Sequence, residues 1–184
     1  MAITSDGVLY GWGSNEFGQL GDGTTINRHS PIRIMEDVTF VHVTDWQTMA
    51  ITTDGVLWGW GSNSIQDRAG EIFSVLLGDG TTEDRLSPVQ IMEDVASIYV
   101  FHGRKFVITS DGVLWGWGDN AFGELGDGTT ERRYSPVRIM YSILIILVEI
   151  QSEQPVNHNF LFVCDGVFFP DLNGFNEVVN NFVG

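Results

Sequence analysis

One phrase, DGVLYGWGSNEFGQLGDGTTINRHSPIRIMEDV, begins at Asp6 and returns in altered form at Asp54 and again at Asp111. The Asp-Gly pairs that open the three copies lie 48 and then 57 residues apart, whereas the GDG tripeptides at Gly21, Gly78 and Gly126 lie 57 and then 48 apart. A single nine-residue insertion between Asn63 and Leu77, laid on a period of 48, accounts for both offsets. A fixed period of this size is the signature of propellers and solenoids, in which each unit buries its apolar faces only against its neighbours. It also argues against catalysis, because an active site is normally built once.

Within a unit the local signals are short strands and tight turns. Apolar runs flank Asp6-Gly7, Asp54-Gly55 and Asp111-Gly112. Asp-Gly between such runs predicts a two-residue hairpin, with a type I′ turn that holds both residues at positive φ. Alternation then places Val56, Trp58 and Trp60 on one face of the following strand and Leu57, Gly59 and Gly61 on the other. Glycines along a strand face predict close approach of another backbone, so Gly59 and Gly116 are expected to lie against a neighbouring sheet. Pro88 suits a strand start and Glu93-Asp94 a polar turn, so four strands from Pro88 to Gly118 are expected to form one blade. Helical spacing is not sustained anywhere before residue 140, and the fold class is all-β.

Units begin at Met1, Met49 and Phe106, and a degenerate fourth begins at Phe160, where FLFVCDGVFF aligns loosely with FVITSDGVLW. The expected organisation is three propeller repeats over residues 1–140, then a divergent segment, 141–184, holding the degenerate unit. The chain is thus expected to begin and stop partway through a repeat. Residues 141–150 are β-rich and apolar, but too short for the ~20 residues of a spanning helix.

Nine basic residues against 24 acidic ones give a formal charge of −15. Such a chain repels a phosphate backbone, so nucleic acid is not an expected partner. Cys164 is the sole cysteine, which excludes an internal disulfide and a thiolate zinc site. No signal peptide is visible, and compartment stays open.

At WGSNEFGQLGDG the pattern resembles the repeat of the regulator of chromosome condensation family, whose core is WG-x-N-x-x-GQLG-x-G. The first repeat carries it at Trp12, Gly13, Asn15, Gly18, Gln19, Leu20, Gly21 and Gly23. The third carries it at Trp117, Gly118, Gly123, Leu125 and Gly126, with Glu124 in place of Gln. The second keeps Trp60, Gly61, Asn63, Leu77, Gly78 and Gly80, while its insertion replaces the central Gly-Gln. The phrasing is most similar to bacterial members. The resemblance covers about residues 1–140 and implies a partial β-propeller of the seven-bladed type: three to four four-stranded blades in an open ring. The last unit departs from it, with Phe168-Phe169-Pro170 in place of the Trp-Gly-Trp.

Other chemistries were weighed against the residues. Gly11-Trp12-Gly13 lacks the third glycine and following helix of a dinucleotide site. Asp79, Glu83 and Asp84 invite a calcium reading but miss the twelve-residue template, and a turn in which Asp and Thr side chains cap amides reads better. His29, His42, His102 and His158 fall at unrelated repeat positions. TDWQTMAI at Trp46 partly matches a light-sensing segment of one plant member of the family but lacks its Gly, Arg and His. No catalytic, metal or cofactor residue is assigned.

The expected function is therefore protein recognition without catalysis. Guanine-nucleotide exchange on a small GTPase, which the resemblance also raises, and an inert fragment stand as alternatives. The insertion, with Ile72, Phe73 and Val75, is expected to protrude as a candidate contact loop, and the open propeller edges are expected to allow self-association.

Overall fold

The computed structural model describes residues 1–64, 76–101 and 103–141, together with two short strands near residue 165. It forms two units, Met1–Tyr141 and Ser142–Gly184. Every regular element among the described residues is a β-strand. In the first unit these are β1 (Ala2–Ile3), β2 (Leu9–Gly13), β3 (Arg28–Met35), β4 (Val38–Val43), β5 (Gln47–Thr52), β6 (Leu57–Gly61), β7 (Arg85–Met92), β8 (Val95–Phe101), β9 (Arg104–Thr109), β10 (Leu114–Gly118) and β11 (Arg133–Met140). They build three antiparallel sheets in sequence order, β1 to β3, β4 to β7 and β8 to β11, which are blades of a partial propeller. In the second unit β12 (Val163–Cys164) pairs antiparallel with β13 (Val167–Phe168), the two strands that flank Asp165-Gly166 in the sequence.

The blade boundary differs from the expected one. Strand β7 pairs with β6, not with β8, so no sheet runs from Pro88 to Gly118. The chain changes sheets at Glu93-Asp94. Asp94 sits at φ +59, and Val95 N–H donates to the Gly55 carbonyl in the hairpin of the preceding blade (2.8 Å). Asp37 repeats this at φ +58, with Val38 N–H bonded to the Gly7 carbonyl. Pro88 therefore lies inside β7. It is tolerated because β7 is an edge strand and its register with β6 shifts between Gly59 and Gly61.

The hairpin loops also differ. Thr4 N–H bonds Val8 O, and Gly7 N–H bonds Thr4 O, so the loop is the three residues Ser5, Asp6 and Gly7. Gly7 alone takes positive φ (+83), as do Gly55 and Gly112 in the other copies, and the aspartates do not. This is a β-turn followed by a left-handed glycine, the next most common hairpin after the two-residue kind. Asp54 and Asp111 instead use their carboxylates to accept from the Thr52 and Thr109 hydroxyls at the loop base.

Two apolar cores lie between the blades. Leu9, Val38, Ala50 and Trp60 fill the first. Met49, Ile51, Leu57, Leu76, Leu77, Val95, Ile98, Val107 and Trp117 fill the second. Alternation along β5 and β6 thus sends the indoles toward the preceding sheet and the leucine-glycine face toward the next. Gly59 and Gly116 do not meet a neighbouring sheet's backbone. A Cβ on Gly59 would touch Met49 Sδ at 3.1 Å and Leu77 Cδ2 at 3.3 Å, and one on Gly116 would touch the Phe106 ring at 3.2 Å. Side chains of their own repeat occupy the space a Cβ would need.

Candidate functional site

The recurring GQLGDG segment, with the asparagine before it, forms the joint between one blade and the next. In the first repeat Asn15 is fully buried. Its Nδ2 donates to Asp22 Oδ1 (3.0 Å) and to the carbonyls of Thr24 and Ile26, while its Oδ1 accepts from Leu20 N–H (2.9 Å). Asn63 and Asn120 repeat the arrangement, accepting from Leu77 N–H (2.8 Å) and Leu125 N–H (2.9 Å) and donating to Asp79 and Asp127. Each aspartate also caps the amide two residues on, at Thr24, Thr81 or Thr129. Each is paired with the arginine that opens the following strand, Arg28, Arg85 or Arg133. Asp79, the centre of the calcium reading, is thus committed to this turn. Burial pushes the Asp127 carboxyl up, but bonds from Thr129, Arg133 and Asn120 outweigh it and bring the pKa to about 2. Asp22 and Asp79 are lowered by the same balance.

The folded segment then grips the following blade. A Cβ on Gly21 would stand 2.6 Å from Trp60 Nε1, and one on Gly78 would stand 2.6 Å from Trp117 Nε1. Only glycine lets the indole seat there. Trp60 Nε1–H donates to the Gln19 carbonyl (3.0 Å), which also accepts from Thr48 Oγ1 (2.8 Å). Gly23 N–H bonds Leu86 O on β7 (2.8 Å), and Gly80 N–H bonds Tyr134 O on β11 (3.0 Å). Gly18 is closed in by Leu86, whose Cδ2 lies 2.5 Å from where a Cβ would stand. Sequence reasoning marked these glycines and tryptophans as motif residues but did not pair them, since the Trp60–Gln19 contact spans 41 residues.

The two joints are not identical. By register Leu76 replaces Gln19, and Lys105 replaces Thr48. Trp117 Nε1 is buried without a hydrogen-bond partner. Lys105 is 1% exposed, and burial, only partly offset by Asp119, pushes its pKa down to about 7. His42 is lowered as well, by its own burial and by Lys105. Ile72, Phe73 and Val75 of the insertion lie outside the described residues. An open groove of about 440 Å³ lies by the third hairpin, where Asp94, Asp111 and Trp115 face Arg138, whose guanidinium stacks 4.0 Å from the Tyr141 ring.

The third repeat carries the same gripping segment, and no tryptophan among the described residues is seated in it. Phe122 is 91% exposed and Gly126 is exposed, whereas Phe17 is half-buried and Gly21 buried under the second blade. At the opposite end Trp12, the counterpart of the fully buried Trp60 and Trp117, is 43% exposed.

Residues 6–51 and 111–148 match the Regulator of chromosome condensation (RCC1) repeat. The ultraviolet-B receptor UVR8 of Arabidopsis thaliana is 32% identical over 133 residues, which cover 67% of this chain and 28% of the receptor. The E3 ubiquitin-protein ligase HERC2 of Mus musculus is 31% identical over 137 residues, 68% of this chain and 3% of the ligase. The chain therefore spans less than a third of the length of these curated relatives. Prp20p from Saccharomyces cerevisiae superimposes with a TM-score of 0.56 at 19% identity, covering 76% of this chain and 35% of Prp20p, a likeness of fold.

Proposed function

This chain carries repeats of the regulator of chromosome condensation family, and on that premise we propose that it is a non-catalytic protein–protein interaction module. The observation that carries the reading is how the polar side chains are spent. The recurring asparagine, aspartate, threonine and arginine side chains are hydrogen-bonded inside their own repeat, as framing for the joints. Between its exposed charged residues the frame also turns apolar side chains outward: Phe40 at 42% exposure and Val43 at 46% on β4, and Ile26 at 60% in a loop. A rigid scaffold with outward apolar side chains suits docking of another protein. The relatives support the same class, since the Prp20p structure is described together with its binding to Gsp1p and histones.

The test is co-purification from the source cells after chemical crosslinking. A stoichiometric partner should be recovered with the chain and lost with the Phe40→Ser, Val43→Ser double variant, whose circular dichroism should match the parent. Equal recovery by both proteins, or no stoichiometric partner, would sink the reading. Guanine-nucleotide exchange makes a different demand: release of a fluorescent nucleotide from a small GTPase, accelerated by substoichiometric chain. No acceleration is expected, and a marked one would put exchange in place of passive binding.

A further inference from the structure

The joints under Trp60 and Trp117 differ in how they satisfy their donors. In the first, one atom, the Gln19 carbonyl oxygen, accepts both from Trp60 Nε1–H (3.0 Å) and from Thr48 Oγ1–H (2.8 Å). Thr48 on β5 and Trp60 on β6 are partners in the strand ladder, so their side chains share one face, and both are fully buried. In the second joint the same two places are held by Lys105 on β9 and Trp117 on β10, again ladder partners. The indole is seated as before, since a Cβ on Gly78 would stand 2.6 Å from Trp117 Nε1, as one on Gly21 would from Trp60 Nε1. Leu77 N–H keeps its bond to Asn63. The preceding residue, Leu76, does not take up the acceptor role of Gln19, and among the described residues Trp117 Nε1 has no hydrogen-bond partner.

Lysine in the place of threonine changes the chemistry of that face. A hydroxyl donates and accepts, whereas an ammonium has three donors and no acceptor. Two donor side chains therefore stand side by side at 1% and 0% exposure. A buried ammonium is costly unless an opposite charge answers it. The carboxylate that attracts Lys105, Asp119, is already bonded to Arg132 Nε at 2.8 Å. Among the described residues, His42 on β4 is held below the usual histidine range by burial and by Lys105, and Arg104, beside Lys105 on β9, pairs with Glu124 (3.3 Å). Neither supplies a negative charge.

We propose that the second joint is a binding site for a small monovalent anion, of the halide class, held between Trp117 Nε1–H and the Lys105 ammonium. One oxygen atom serves both donors of the first joint, so a monatomic ion is of the right size for the second. The ion does there what the Gln19 carbonyl does in the first joint, and it brings the charge that a lysine needs and a threonine does not. It binds the ammonium and not the free amine, so halide raises the Lys105 pKa from its value of about 7. The site goes beyond the interaction-module reading, because it lies between blades and uses neither Phe40 nor Val43.

Replacing sodium gluconate by sodium chloride at fixed ionic strength tests the site in the full chain. At pH 6 the melting temperature should rise by several degrees, by mass action on the folded state. At pH 9, where the amine is neutral, the affinity for chloride should be weaker by about tenfold or more. The chloride NMR line, which reads the ion directly, should broaden with the parent at pH 6 and sharpen again when bromide competes. Lys105→Met and Trp117→Phe should each abolish the melting shift and the broadening, while Trp60→Phe, the matching change in the first joint, keeps both. Equal melting temperatures in gluconate and chloride at pH 6, with no broadening, would overturn the proposal. So would a chloride effect in Lys105→Met as large as the parent's, which would put the ion elsewhere on the protein.

Discussion

Trp60 and Trp117 occupy the same repeat position and are equally buried, yet only Trp60 has a hydrogen-bond partner for its ring nitrogen. Replacing each by phenylalanine separates the effects of packing and bonding. Trp60→Phe deprives the Gln19 carbonyl of a donor, whereas Trp117→Phe removes an N–H that was buried without an acceptor. Trp60→Phe should therefore be the more destabilising by about 1–2 kcal/mol in urea denaturation. Lys105 offers a second test at this scale. Its pKa falls from the 10.5 usual for a lysine to about 7 in the fold. Between those values the unfolded chain binds more protons, so stability rises with pH, and the cost of burying the charge is fully present below pH 7. Unfolding free energy should increase on the order of 2 kcal/mol from pH 7 to pH 9. Lys105→Met should flatten that slope and be the more stable protein at pH 6. A parent with no rise above pH 7 would mean the ammonium is solvated.

At the scale of the element, the loops and strands were legible to different degrees. Strand positions and the site of each turn follow from alternation and from Asp-Gly. The hairpin length did not, because Asp-Gly serves both the two-residue turn and the three-residue loop. The threonine at the loop base, Thr4, Thr52 or Thr109, favours the longer one by bonding across it. Blade boundaries were missed for a different reason: a period fixes spacing but not phase, and β7 could pair on either side until the Asp94 turn is seen. The role of the GDG glycines was hidden by sequence distance. Gly21→Ala should cost about 1–3 kcal/mol more than Gly126→Ala, since both pay the same positive-φ penalty but, among the described residues, only the former meets an indole. Equal melting-temperature losses would show that the contact between Gly21 and the Trp60 indole adds nothing to the backbone penalty. The insertion gives a companion prediction. Leu77 N–H bonds Asn63 as Leu20 N–H bonds Asn15, despite the longer connection. Deleting nine residues within 65–75 should leave the melting temperature within a few degrees of the parent, because lengthening a loop costs little.

At the scale of the whole molecule, the loop-over-indole joint gives the chain a direction. Each repeat laps onto the one after it, as roof tiles lap down a slope, so the two sides of a joint do not lose the same thing when it opens. The lapping repeat keeps its asparagine-centred loop intact, while the lapped repeat has its tryptophan laid bare to water. A chain pulled from its first residue should accordingly peel differently from one pulled at the end of the third repeat, and wear at any one joint is suffered downstream.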